Sequence, residues 1–122
     1  MIVVFLGAME SNMKIKELAE MTNWQLHASI QSQEKEIRGA FVGDLLSWVM
    51  GHSKPEQAWI TVQAHINVVA VGVLREFSCL IICEDSQVDE AMLAQALEEN
   101  LPIFQTTLSA FDVCRKLIEL GV

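Results

Sequence analysis

Apolar residues gather in two nearly unbroken runs in the middle of the chain, Ala58-Trp59-Ile60-Thr61-Val62 and Ser78-Cys79-Leu80-Ile81-Ile82-Cys83. Neither run alternates with polar positions, which is the pattern of strands covered on both faces, as in a parallel sheet. The stretch between them is long enough for the helical crossover that parallel neighbours require. Its segment Val68-Val69-Ala70-Val71-Gly72-Val73-Leu74 is compatible with a strand by β-branched content. Asn67 as N-cap and the helical spacing of Val69, Val73 and Phe77 favour a helix over Val68–Phe77. That helix is apolar nearly all round until Arg75 and Glu76. It is therefore expected to be covered on two sides, by the sheet and by a second helix layer or another subunit.

The remaining elements follow the same logic. Lys14–Met21 reads as a short helix with Ile15, Leu18 and Ala19 on one face. Trp24–Ala28 alternates and reads as a half-buried strand, and the polar Ser29–Lys35 as a solvated connector. Glu36–Val42 reads as one strand with a bulge or close approach at Gly39. Asp44 is expected to cap a helix over Leu45–Met50 that Gly51 closes and Pro55 keeps from continuing. Ser86 and Asp89 have capping-box spacing ahead of a helix over Glu90–Asn100, with Leu93, Ala96 and Leu97 inward. After Pro102 comes a short strand, Ile103–Gln105. Thr106–Ser109 then leads into a last helix with Phe111, Cys114, Leu117 and Ile118 inward. Successive β-α units with right-handed crossovers give an α/β fold, a largely parallel sheet of about five strands with flanking helices.

Composition narrows the function classes. The chain has 122 residues, 52% of them hydrophobic, with a formal charge of −8. One domain with a real core is expected, and a phosphate backbone would be repelled, which disfavours nucleic acid. The three cysteines form no CxxC pair. Cys79 and Cys83 lie inside an apolar run on one face of a strand, as reduced buried thiols of a cytoplasmic protein would. No segment has the length of a membrane span. Met1–Leu6 is apolar but short and without a basic leader. It reads either as an edge strand or, with the rest of Met1–Asn12, as a non-native or mis-called extension ahead of a start at Met13.

In open parallel sheets ligands bind at the carboxyl ends of the strands. Four turns qualify: Gly43 and Asp44; Gln63, His65 and Asn67; Glu84 and Asp85; and Gln105, Thr106 and Thr107. Helix N-termini following these turns would favour an anion. The competing reading makes Asp44, Asn67 and Thr107 helix caps and His65 an exposed turn residue. There is no Walker A loop, GxGxxG or GxSxG motif. The spacing of His52, His65 and Asp44 is irregular for a metal site. No catalytic residue, metal or cofactor is assigned. Trp48 is read either as an interface anchor or as a core aromatic.

Three segments together resemble the DRTGG domain: Val42-Gly43-Asp44-Leu45-Leu46-Ser47-Trp48-Val49-Met50-Gly51-His52, then Ala58 to Val71, then Pro102-Ile103-Phe104-Gln105-Thr106-Thr107-Leu108-Ser109-Ala110-Phe111. The likeness covers Met13–Val122 and omits Met1–Asn12. Related domains are regulatory segments of phosphotransacetylases and of some inorganic pyrophosphatases that carry adenine-nucleotide-sensing modules, and they are similar to the N-terminal domain of HPr kinase. The resemblance implies a stand-alone regulatory or dimerisation domain without catalysis of its own. Where the family carries Asp-Arg-Thr-Gly-Gly, near the turn after the third strand, this chain reads Gln63-Ala64-His65-Ile66-Asn67, so the family's Asp and Arg contacts are not carried over.

The expected function is that of a non-enzymatic regulatory or protein-interaction domain that forms a homodimer. The apolar Val68–Phe77 helix places Val71 and Leu74, with Trp48 nearby, at or near the interface. The alternative is a sensor of an adenine nucleotide or other small anion. Its site would comprise Gly43, Asp44, Gln63, His65, Asn67, Thr106 and Thr107.

Overall fold

The computed structural model describes residues 12–122. The edge-strand expectation for Met1–Leu6 lies outside the described residues. In chain order the elements are β1 (Met13–Lys14), α1 (Ile15–Met21), β2 (Gln25–His27), β3 (Glu36–Ile37), β4 (Ala40–Val42), α2 (Leu46–His52), β5 (Ala58–Thr61), α3 (Ile66–Leu74), β6 (Cys79–Ile82), α4 (Glu90–Glu98), β7 (Ile103–Gln105) and α5 (Ala110–Glu119). The main sheet has five strands in the order β2-β7-β6-β5-β4. β4, β5, β6 and β7 are parallel neighbours, and β2 joins β7 antiparallel.

The apolar runs become β5 and β6, every residue of which is buried. Alternation sorts their side chains onto two faces. Ala58, Ile60, Cys79, Ile81 and Cys83 join Phe104 in a core closed by Ile15 and Leu18 of α1 and Val113 and Leu117 of α5. Trp59, Leu80, Ile82 and Ile103 form the other core with Val49 of α2, Val68 and Val69 of α3, and Met92 and Ala96 of α4. Three successive crossovers step in one direction along the sheet, so their helices share one face, as uniform handedness requires. α1 and α5 cover the other.

Gly72 lets α3 lie close to the sheet. A Cβ at this position would come within 2.8 Å of a Leu101 methyl and 3.2 Å of a Leu80 methyl. The inner side of α3 is thus sheet-bound, with Val68, Val69 and Gly72 buried. α2 and α4 flank it, and its outer residues Ile66, Ala70, Val73 and Leu74 remain exposed.

Several local expectations are corrected. Glu36–Val42 is two strands: β3 pairs antiparallel with β1 in a separate two-stranded sheet, and β4 enters the main sheet. Gly39, at φ +111°, turns the chain between them. The connector before β3 contains a turn of 3₁₀-helix at Gln31–Glu34, and Ser32 within it is buried. Asp44, Asn67 and Thr107 are not the helix caps. The N-cap positions are Leu45, His65 and Ser109. Nor do Ser86 and Asp89 form a capping box, because Asp89 is itself the N-cap and accepts from the Met92 amide at 2.8 Å. On α5 Val113 and Leu117 are buried and Cys114 packs half-buried against the same core, whereas Phe111 and Ile118 are 70% and 73% exposed. Leu97 of α4 also faces solvent.

Candidate functional site

All four candidate turns emerge at the same end of the sheet, because the strands that precede them are parallel. The order β4-β5-β6-β7 then fixes their lateral spacing. About 4.8 Å separates neighbouring strands, so the β4 and β7 turns lie roughly 14 Å apart.

At the β4–β5 end, Gly43, Asp44 and Gln63 are brought together. The Asp44 carboxylate accepts from the Thr61 hydroxyl at 2.7 Å and from the Val62 amide at 3.0 Å. The Asp44 carbonyl accepts from Gln63 Nε2 at 2.6 Å, and the Gln63 amide donates to Thr61 Oγ1 at 3.1 Å. Gly43 donates its amide to the Ile60 carbonyl and accepts at 2.9 Å from the indole N–H of Trp59. The two turns are thereby clasped. A carboxylate of the chain itself thus occupies the backbone amide at the end of β5. Asp44 is drawn there, and away from the cap position, by Thr61 and Val62.

His65 and Asn67 follow in the first turn of α3. Nδ1 of His65 accepts from the Asn67 amide at 3.2 Å, which makes His65 the cap and Asn67 a helix residue. Both are exposed. The reading of His65 as a turn histidine is therefore refined to a helix cap.

Thr106 and Thr107 belong to a separate place. They line a cleft of about 310 Å³ with Asn23, Gln25, Asp85, Gln87 and Gln105. Its walls are carboxamides and hydroxyls, and the charged group among them is Asp85. Gln105 Oε1 is held by His27 Nε2 at 2.8 Å, and Gln87 Nε2 donates to the Asp85 carbonyl at 3.0 Å. The crevice between the β6 and β7 turns is closed by backbone bonds from Glu84 to Leu108 and from Asp85 to Thr106. Consecutive residues Glu84 and Asp85 adopt φ of +60° and +57°.

The candidate residues thus fall into a clasp around Asp44 with the neighbouring α3 cap, and a polar cleft around Thr106. Sequence reasoning missed Thr61 and Trp59, which organise the clasp, and Asn23, Gln25 and Gln87, which wall the cleft. Thr61 was visible as the polar interruption of an apolar strand. The cleft residues from β2 carry no such signal, because only the antiparallel pairing of β2 with β7 brings them there.

Trp48 is 56% exposed and stacks on His52, with ring centroids 3.6 Å apart and planes inclined by 15°. The core-aromatic reading of Trp48 is thus excluded. Cys79 and Cys83 are buried free thiols, and burial pushes both pKa values up, so they stay protonated. Among the described residues no group of three or more His, Cys, Asp or Glu side chains is placed to hold a metal ion, and no helix is long and apolar enough to cross a membrane.

The fold has a solved counterpart. The chain is similar in structure to the CBS and DRTGG domains of the regulatory region of Clostridium perfringens pyrophosphatase, solved in complex with its activator diadenosine tetraphosphate. The TM-score is 0.70 at 11% sequence identity, over 89% of this chain and 47% of that one. At this identity the likeness is one of fold, a DRTGG-like mixed α/β architecture, and the chain spans about half of its counterpart. No protein-family model and no curated protein matches the sequence.

Proposed function

We propose that Met13–Val122 is a single DRTGG-like domain that acts without catalysis, as a cytoplasmic regulatory module working through protein contact and self-association. The observation that carries this is the uncovered apolar surface of α2 and α3. Trp48 and Leu74 are 56% and 66% exposed, and Leu45 and Ile66 add to the same helical layer. A domain of this size seldom leaves such residues in water without a partner. The likeness in fold to part of a pyrophosphatase regulatory region agrees with this reading. A two-fold homodimer through the Trp48 and Val71 side of α3 is expected. Size-exclusion chromatography with light scattering tests it: a monomer at high micromolar concentration rejects self-association.

A second reading is favoured by the polar cleft at Thr106 and Thr107. There the module would sense a small nucleotide or other small anion, at the same end of the sheet as the Asp44 clasp and the His65 and Asn67 turn. Adenine nucleotides are the first ligands to test, given what the structural counterpart binds. A thermal-shift screen decides, because a ligand at about a hundred times its dissociation constant stabilises by about 2.7 kcal/mol.

A further inference from the structure

Two cavities on the α3 side of the molecule adjoin. A groove of about 580 Å³ between α3 and α4 is lined by Ile66, Ala70, Val73 and Leu74, with Gln95 and Glu99 on its far wall. A basin of about 560 Å³ at the amino-terminal end of the sheet is lined by Glu34, Glu36, Glu56, Glu76 and Glu99, with Lys35 among them. Val73 and Glu99 belong to both. The groove is apolar along the length of α3, about 14 Å for a helix of nine residues.

The carboxylates of the basin are not equivalent. Glu34 is paired with Lys14 and Lys16, and Glu36 and Glu56 with Arg38. Lys35 donates to the Asn100 carbonyl. Among the described residues Glu76 and Glu99 form no ion pair; both line the basin, and Glu99 lines the groove as well. Glu99 accepts only a 3.3 Å bond from the Gln95 carboxamide. An apolar trough thus opens onto two carboxylates outside any ion pair among the described residues, on a chain of net charge −8.

From this juxtaposition we propose that the α3–α4 groove docks a basic amphipathic helix of a partner protein, its apolar stripe along Ile66, Ala70, Val73 and Leu74 and its Lys or Arg residues on Glu76 and Glu99. Helix-in-groove recognition takes anchors at i, i+3 or i+4, and i+7, which matches a trough of this length. Charge decides between occupants. A second copy seated here would bring the Glu76 and Glu99 carboxylates of both chains together, whereas a basic helix supplies cations to them. Self-association through Trp48 and Val71 uses the other side of α3 and leaves the groove open; Leu74 borders both. The inference rests on the reading of the domain as an interaction module.

The test uses the full chain and three fluorescein-labelled synthetic helices of about 15 residues. One has an apolar i, i+3, i+7 stripe with flanking Lys and Arg, one has the same stripe with flanking Glu, and one is a scrambled basic control. The basic amphipathic helix should bind at least tenfold tighter than the other two in fluorescence anisotropy. Its affinity should fall severalfold between about 50 and about 300 mM salt. Amide chemical-shift changes should map to Ile66–Leu74 and Gln95–Glu99. Ala70→Glu should weaken binding at least tenfold, and the double variant Glu76→Lys, Glu99→Lys should reverse the preference toward the acidic helix. Both variants alter exposed positions, and unchanged circular dichroism establishes that they fold. Equal binding of basic and acidic helices, shift changes elsewhere, no binding at about 1 mM, or a dimer that occupies this groove would each overturn the proposal. A dimer through Trp48 alongside a silent groove would overturn it while leaving the interaction reading intact.

Discussion

Asp44 and Thr61 lie 17 residues apart and meet through a 2.7 Å hydrogen bond in which the hydroxyl donates to the carboxylate. Thr61 is 1% exposed, so its hydroxyl depends on this acceptor. Asp44→Ala would leave that donor without its partner at a cost of about 1–3 kcal/mol. Thr61→Val removes both the donor and the acceptor of the Gln63 amide. Urea denaturation of both single variants and the double variant should give a coupling energy of about 0.5–3 kcal/mol. Strict additivity would show that the clasp does not hold the two turns.

Self-association should depend on α2. Val71 is half-buried against the core, so a charge there would disturb folding as well as assembly. Trp48 is the cleaner probe because its ring lies outside the core and stacks only on His52. Trp48→Glu is expected to convert a dimer to a folded monomer in light scattering, since an unpaired carboxylate would be buried at the contact. Retention of the dimer by this variant places the interface elsewhere.

Gly72 should not tolerate bulk. An alanine methyl would press on buried Leu101 and Leu80. The gain in helix propensity, about 1 kcal/mol, is then offset by overpacking of about 1–3 kcal/mol. Gly72→Ala is expected to destabilise modestly and Gly72→Val by more than about 2 kcal/mol. Chemical denaturation orders them; a stabilised Gly72→Val would mean that α3 does not approach the sheet this closely.

Glu34 accepts from Lys16 at 2.7 Å and Lys14 at 3.1 Å. The hydrogen bond from Lys16, followed by that from Lys14, holds its carboxyl below the usual glutamate range. The folded pKa is therefore depressed. The associated stability is present above the ordinary glutamate pKa and lost as pH falls through the depressed value. NMR titration should find the Glu34 midpoint below that of an unstructured peptide, and Lys16→Met should raise it. High salt should narrow the difference, because these groups are solvent-exposed.

The strands were legible because burial on both faces leaves an unmistakable apolar run, as in Ala58–Thr61 and Cys79–Ile82. From α2 onward the alternation of helices and strands followed from them, whereas β1 and the split of Glu36–Val42 into β3 and β4 did not. The caps were not, although Asp44, Asn67 and Thr107 are residue types that cap well. Asp44 is claimed by Thr61, a partner invisible to any local rule, and the α3 and α5 helices start at neighbours within two residues of those expected. On α5 the spacing put Phe111, Cys114, Leu117 and Ile118 on one stripe, and the tertiary context turns the helix so that Val113 and Leu117 are buried, Cys114 is partly buried and Phe111 and Ile118 face solvent. That the candidate ligand residues share one end of the sheet followed from the parallel pattern. Their division into a clasp and a cleft was not visible, because it depends on which turn each backbone amide bonds to.

The strand order has a consequence for how the molecule comes into being. β2 leaves the ribosome before any other strand of the main sheet, yet its pairing partner there is β7, the last. His27 and Gln105, which bond across that pair, are 78 residues apart. Trp24 packs edge-on against Phe104, with ring centroids 6.0 Å apart. Until the final segment is synthesised, Ile15, Leu18 and Trp24 have neither β7 nor α5 to lie against. The parallel strands β4 to β7 can add to one another as they emerge, each beside the one before. The amino-terminal portion can meet Ile37, Ala58 and Ile60 earlier, but its place in the main sheet is completed only when β7 and α5 arrive.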